Sequence, residues 1–210
     1  MFRIYKIVNI FYKIKVDNMN KRKLVFTALF AALISIGCVI AIPLPGGVPI
    51  TVQNLFAILA GGILGSFYGG AAVILWMILG AVGIPVFANA HGGIAIILGP
   101  TGGYMWGYAL GSLFLGLTLG SPRLTENKKD VRFIIKIALL ALVAYALVYL
   151  PGIPWFMHVM AGKGKPQTFT SALKLTFIPF IPGDLIKWAV TIPLAATLRP
   201  IAARYLQKEE

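Results

Sequence analysis

From Leu24 to Pro122 the chain contains no aspartate, glutamate, lysine or arginine. A soluble domain of that length must present a solvated, charged surface. A hydrocarbon bilayer makes the opposite demand, because each ionised side chain placed in it costs several kcal/mol. Apolar residues gather into six runs, near 24–42, 52–67, 69–84, 103–120, 133–151 and 178–198. Each approaches the roughly 20 residues that a helix needs to cross a membrane. Pro43-Leu44-Pro45-Gly46-Gly47 separates the first run from the second, and Gly69-Gly70 is the expected tight turn before the third. A proline- and glycine-rich connection covers 85–102, a charged loop covers 121–132, and the longest connection covers 152–177. The pattern predicts an all-α, polytopic membrane protein with six transmembrane helices.

Composition narrows the picture. With 59% apolar residues in 210, six spans leave no room for a soluble catalytic domain. A net charge of +13 would suggest nucleic acid in a soluble protein. Here the cations flank the apolar runs, so they point to membrane orientation and anionic lipid headgroups, with no nucleic-acid partner. Seven lysines and arginines precede residue 24, five fall in 123–136 and three follow residue 198. Placing these three regions on the cytoplasmic side of the cell membrane leaves 43–51, 85–102 and 152–177 outside. Lys163, Lys165 and Lys174 on the last of these run against the trend. Residues 1–18 form a basic, aromatic extension to a membrane domain at 19–205. The extension either lies on the membrane surface or precedes a natural start at Met19. Cys38 is the single cysteine, which excludes an intramolecular disulfide and a multi-cysteine metal site.

Candidate chemistry is sparse. Asp184 is the one acid within an apolar run, and Lys187, three residues on, shares its helical face. An intramembrane pair of this kind faces the bundle interior or a cavity and marks a functional site, unless it only fixes helix register. Asn89, in the connection 85–102, offers donors and an acceptor to a polar, uncharged ligand, or else caps its own loop. His91 beside two glycines reads as a loop residue. Gln53 opens the second run as either a pocket group or an interfacial one. Gly99-Pro100-Thr101-Gly102-Gly103-Tyr104 is the densest motif, with Tyr104, Trp106, Trp155 and Trp188 all admitting an aromatic-belt reading. Gly61/Gly65/Gly69 and Gly103/Gly107/Gly111 form ridges for close helix packing, and Ala28/Ala32 form a small-residue pair on the first run. The ridges serve either the bundle itself or a separate membrane subunit. No P-loop, zinc motif or serine elbow is present. These absences suit a small-molecule carrier energised from elsewhere, with no cofactor and no catalytic residues.

Five segments resemble one family: Thr27–Leu33, Val48-Pro-Ile-Thr-Val-Gln53, Gly83-Ile-Pro-Val-Phe87, Gly99–Tyr104 and Pro182-Gly-Asp-Leu-Ile-Lys187. They are similar to BioY, the biotin-binding S component of energy-coupling factor (ECF) transporters, over about residues 19–200. The resemblance implies six membrane helices, capture of biotin from outside, and coupling to a membrane T subunit with two cytoplasmic ATPase subunits. It implies ligand-binding roles for Asn89, Asp184, Lys187, Tyr104 and Gln53, and docking on the T subunit through Ala28 and Ala32. Asp184 would accept from ureido N–H groups, and Lys187 would donate to the ureido oxygen or to the carboxylate. The rival readings are a carrier for another vitamin or small metabolite, a solitary carrier, an intramembrane enzyme and a structural subunit.

Overall fold

A computed structural model describes residues 21–44 and 46–206, and the extension expected over 1–18 lies outside them. The chain is mainly helical. Helix α1 (Lys21–Ile36) is followed by two short strands, β1 (Ala41–Ile42) and β2 (Ile50–Thr51), and by helices α2 (Gln53–Leu64) and α3 (Ser66–Ala81). The short helix α4 (Ile94–Ile97) lies in the next connection and leads to α5 (Gly102–Leu119). Then come α6 (Val131–Leu147), α7 (Tyr149–Gly162), α8 (Phe169–Thr176) and α9 (Ile181–Leu206). Each of the six apolar runs contains a helix, but the lengths are uneven, and the first run leaves its helix at Ile36 and ends in β1. Among the described residues, two stretches are long and apolar enough to cross a bilayer by themselves, Val131–Gly162 and Phe169–Leu206. Helix α2, with 12 residues, is about 18 Å long at 1.5 Å per residue, well short of the hydrocarbon thickness.

Three expectations about connections change. The turn between the second and third runs is Gly65, not Gly69-Gly70. Gly65 has φ +84 and is at once the last cap of α2 and the first of α3. A side chain resists that backbone conformation. Gly69 and Gly70 lie inside α3, where a Cβ on Gly69 would come 2.6 Å from the Gly61 nitrogen. Their role is close packing rather than turning. The connection expected over 152–177 is mostly helix: α7 runs on to Gly162, and α8 forms separately after residues 163–168. The break between α6 and α7 at Val148 follows from Pro151. Proline has no N–H to give to the Leu147 carbonyl four residues back, and its ring crowds that carbonyl. Finally, β1 and β2 form a small antiparallel ribbon, with Ala41 paired to Thr51 and Ile42 to Ile50.

Helix α2 is the centre. Eleven of its 12 residues are buried, and α1, α3, α5 and α9 pack around it. Its small residues Ala57, Ala60, Gly61 and Gly62 let those neighbours come close. Both glycine ridges are used inside the bundle. Gly61 faces the backbone of Ser112 on α5, while Gly103, Gly107 and Gly111 of α5 face Trp155, Val148 and Ala144.

One end of the bundle is basic. Lys23 sits 5.3 Å over the Tyr68 ring, and the Phe26 and Tyr205 rings lie 6.4 Å apart. The start of α1 and the end of α9 therefore share this end with the 121–130 loop. Arg199, expected in the sequence as a flanking cation, is fully buried there. It donates to both Glu126 carboxylate oxygens at 2.9 and 2.6 Å. It also donates to the carbonyls of Gly62, Leu119, Gly120 and Ser121, tying α9 to the ends of α2 and α5.

Substituting Gly61→Ala should destabilise the protein by about 1–3 kcal/mol, because the new methyl meets backbone that cannot move aside. Gly162→Ala, where an added Cβ meets nothing within 4 Å, should change stability by less than about 0.5 kcal/mol. Thermal denaturation in detergent, read by size-exclusion recovery, compares the two. Equal effects would contradict the packing role given to Gly61.

Candidate functional site

At the end opposite Arg199 lies a cavity of about 350 Å³, within the range of small-molecule sites. Three segments converge on it. Gly47, Val48 and Pro49 come from the ribbon loop, Ala88 to Thr101 from the connection before α5, and Lys163 from the end of α7. These are the three connections that the charge pattern places together on one side of the membrane. The buried side of the cavity is formed by Thr51, Gln53, Trp76, Met105 and Tyr108. Trp76 is fully buried and Gln53 is 3% exposed.

The floor is held by one carbonyl. Gln53 Nε2 and Trp76 Nε1 both donate to Val86 O, at 2.8 and 2.9 Å. Gln53 is thus both a lining residue and a brace for the loop above it. Trp76 stacks edge-on against the buried Phe87 and lies 6.1 Å from the Tyr108 ring, giving the cavity an aromatic wall. Asn89 is exposed at the rim and has φ +58, a left-handed conformation that asparagine tolerates better than most residues. A Phe87–His91 bridge closes this turn, and His91 Nδ1 lies 3.0 Å from Ala88 O. The Asn89 amide makes no hydrogen bond among the described residues, so both its donors and its acceptor remain available. Trp155 donates to Gly99 O at 2.8 Å and Trp188 to Ala138 O at 2.8 Å. These two indoles are ties between elements, while Trp106 alone of the three is largely exposed.

Asp184, Lys187 and Tyr104 adjoin the cavity without lining it. Asp184 lies in the first turn of α9, where the helix dipole favours a carboxylate. Its Oδ1 accepts from Lys187 Nζ at 3.0 Å and from Asn54 Nδ2 at 3.0 Å. Its Oδ2 accepts from the Tyr149 hydroxyl. The Asp184 and Lys187 side chains are 12% and 9% exposed. Asn54 follows Gln53 on α2, so consecutive residues serve the carboxylate and the cavity on adjoining sides of one helix end. Tyr149 packs edge-on against Tyr104 and Phe177. Asn54 Oδ1 is buried without a partner, and the buried Tyr104 hydroxyl, near Thr176, completes no hydrogen bond of ordinary geometry. Such orphaned polar atoms are uncommon and call for a partner.

The sequence brought out Asp184, Lys187, Asn89, Gln53 and Tyr104, but not Asn54, Tyr149, Trp76 or Tyr108. Asn54 stands beside Gln53 and is a polar residue in an otherwise apolar run, which was a usable signal. The aromatic residues carried none, since they are indistinguishable in sequence from core or interfacial residues. His158 and Cys38 do not line the cavity.

Lys187→Met should destabilise the protein by about 3 kcal/mol, because it leaves a carboxylate in a low-dielectric site without its counter-charge. Adding Asp184→Asn should recover part of that loss. A double-mutant cycle on thermal stability measures the coupling, and strictly additive effects would show that the two side chains do not act as a pair.

Comparison with known proteins finds relatives over most of the chain. The BioY family model matches residues 13–204. The chain is 36% identical over 180 residues to the biotin transporter BioY of Thermotoga maritima, covering 86% of this chain and 97% of that one. It is 38% identical over 183 residues to the biotin transporter BioY of Rhodobacter capsulatus, covering 85% and 93%. A crystal structure of the S-component for biotin from an ECF-type ABC transporter aligns with a TM-score of 0.73 at 28% identity, over 90% of this chain and 98% of that one. The family match over residues 13–204 and the near full-length relatives show that this chain belongs to the BioY family.

Proposed function

We propose that this chain is a biotin-binding membrane subunit for vitamin uptake, working as the S component of an ECF transporter and carrying out no catalysis itself. The observation that carries this reading is a cavity with an aromatic wall and uncharged polar groups, set beside the Asp184–Lys187 pair at the end of the bundle away from the basic loop. In this reading the six apolar runs serve as six spans, with α6–α7 and α8–α9 each forming one interrupted span and α2 a short one buried among its neighbours. Both termini and the 121–130 loop face the cytoplasm, and the cavity opens outward. Residues 19–205 act as one membrane domain.

Biotin presents a neutral ureido ring, a thioether ring and a valerate carboxylate. The ring system suits the Trp76–Tyr108 side of the cavity, with Asn89 and Gln53 offering amide groups to the ureido edge. Asp184 and Lys187 reach the ligand when the Asn54 and Tyr149 bonds to the carboxylate yield to ureido N–H donors. Closure of the glycine-rich loops and reorientation by ATP hydrolysis in partner subunits complete the cycle. Ala28 and Ala32 lie exposed on α1 beside Val25, Leu29 and Ile36. A smooth, unoccupied apolar face of this kind suits docking of a T subunit that works with two ATPase subunits.

Equilibrium binding to the purified chain in nanodiscs should show saturable biotin binding. Asp184→Asn should weaken it by about tenfold to a hundredfold, the worth of a charge-assisted hydrogen bond. Absence of saturable binding, or displacement by thiamine or riboflavin in place of biotin analogues, would reject the assignment. The double substitution Ala28→Trp, Ala32→Trp should abolish co-purification with a T subunit while sparing biotin binding. An intact complex would move the docking surface elsewhere.

A further inference from the structure

Lys187 is held by Asp184 beside the buried side of the cavity, so an anionic group at the cavity mouth needs a different cation. Among the described residues lining the cavity, the one drawn from Lys, Arg, Asp and Glu is Lys163. We propose that Lys163 recognises the carboxylate of the ligand at the cavity mouth, an inference that rests on the biotin reading above.

The position of Lys163 is set by helix geometry. It caps the C-terminal end of α7, where Gly164, with φ +71, ends the helix. Its backbone N–H donates to Val159 O and Met160 O, both at 3.2 Å. The base of the side chain is therefore anchored, although the residue is exposed. Its ammonium forms no ion pair among the described residues. The cavity runs from a buried floor at Gln53 and Trp76 to this exposed cation. A molecule with a neutral ring system and an anionic tail fits that gradient in one direction. The ring replaces water at the uncharged floor, and the ionised carboxylate stays at the hydrated mouth, avoiding the several kcal/mol that burying it would cost. Lys163 then supplies the opposite charge where it needs least desolvation. His91 and Tyr108 are the other titratable groups lining the cavity, and His91 Nδ1 lies 3.0 Å from Ala88 O. The competing role for Lys163 is to offset the negative end of the α7 dipole, which would affect stability but not ligand choice.

Binding of biotin and of biotin methyl ester to the wild type, Lys163→Ala and Lys163→Arg separates these roles. The assay is run at one fixed pH and at low ionic strength, where an exposed ion pair is least screened. The wild type should prefer biotin over its ester by up to about fivefold, the ceiling for an exposed ion pair. Added salt should reduce that preference. Lys163→Ala should bring the ratio close to one with ester affinity unchanged, and Lys163→Arg should keep it. Biotin binding by Lys163→Ala with the wild-type ratio would overturn the role of Lys163 alone. A wild type that binds neither compound would overturn the biotin reading and this inference together.

Discussion

Helix α2 can be buried on every side only because its neighbours touch it backbone to backbone. Gly61 meets the Ser112 backbone of α5 on one side and Gly69 of α3 on another. At these crossings a methyl group would hold the helices apart. Lipid tails give apolar helices little reason to leave them for one another, so packing of this closeness is what holds a bundle together in a membrane. Everything at the two ends of α2 inherits its position from these crossings. Thr51, Gln53 and Asn54 stand at one end and the Gly62 carbonyl at the other.

The two ends handle buried charge differently. At the basic end, Arg199 is enclosed by Glu126 and the carbonyls of Gly62, Leu119, Gly120 and Ser121. Helix C-termini carry carbonyls with no intrahelical partner, and a guanidinium with five donors satisfies several at once. That cluster is closed and structural. At the cavity end, Asp184 is also paired, by Lys187, Asn54 and Tyr149, but the unpartnered Asn54 Oδ1 and Tyr104 hydroxyl beside it remain. The cavity-end cluster thus has unmet hydrogen-bonding capacity, whereas the Arg199 cluster is fully satisfied and rigid.

The same contrast explains how a chain with so few polar groups within its apolar runs can bind a small molecule. Specificity in a dry site needs a small number of polar atoms placed by rigid elements rather than many. Gln53 shows the economy: one amide both lines the cavity and braces the Val86 carbonyl that supports the loop above. The exposed rim at Asn89 and Lys163 is built on a turn and a helix end, where the backbone is anchored but the side chains remain in water.

Much of this was legible along the chain. The uncharged stretch from Leu24 to Pro122 dictated a membrane environment, because hydrocarbon excludes ionised groups regardless of fold. Periodic glycines announced close helix contacts, and Asp184 with Lys187 announced itself as an intramembrane pair, since charge in an apolar run has few reasons to exist. Tertiary structure decided what one-dimensional pattern cannot carry. Gly65, rather than Gly69-Gly70, became the turn, because a glycine serves equally to bend a chain or to admit a neighbour, and only the neighbour distinguishes them. Arg199 looked like a flanking cation and proved to be a buried clamp, because its partners lie more than sixty residues away in sequence. Asn54 and Tyr149 joined Asp184, and Lys163 came to the cavity, for the same reason. Local pattern reports the solvent each segment requires, while long-range packing alone settles which polar atoms meet.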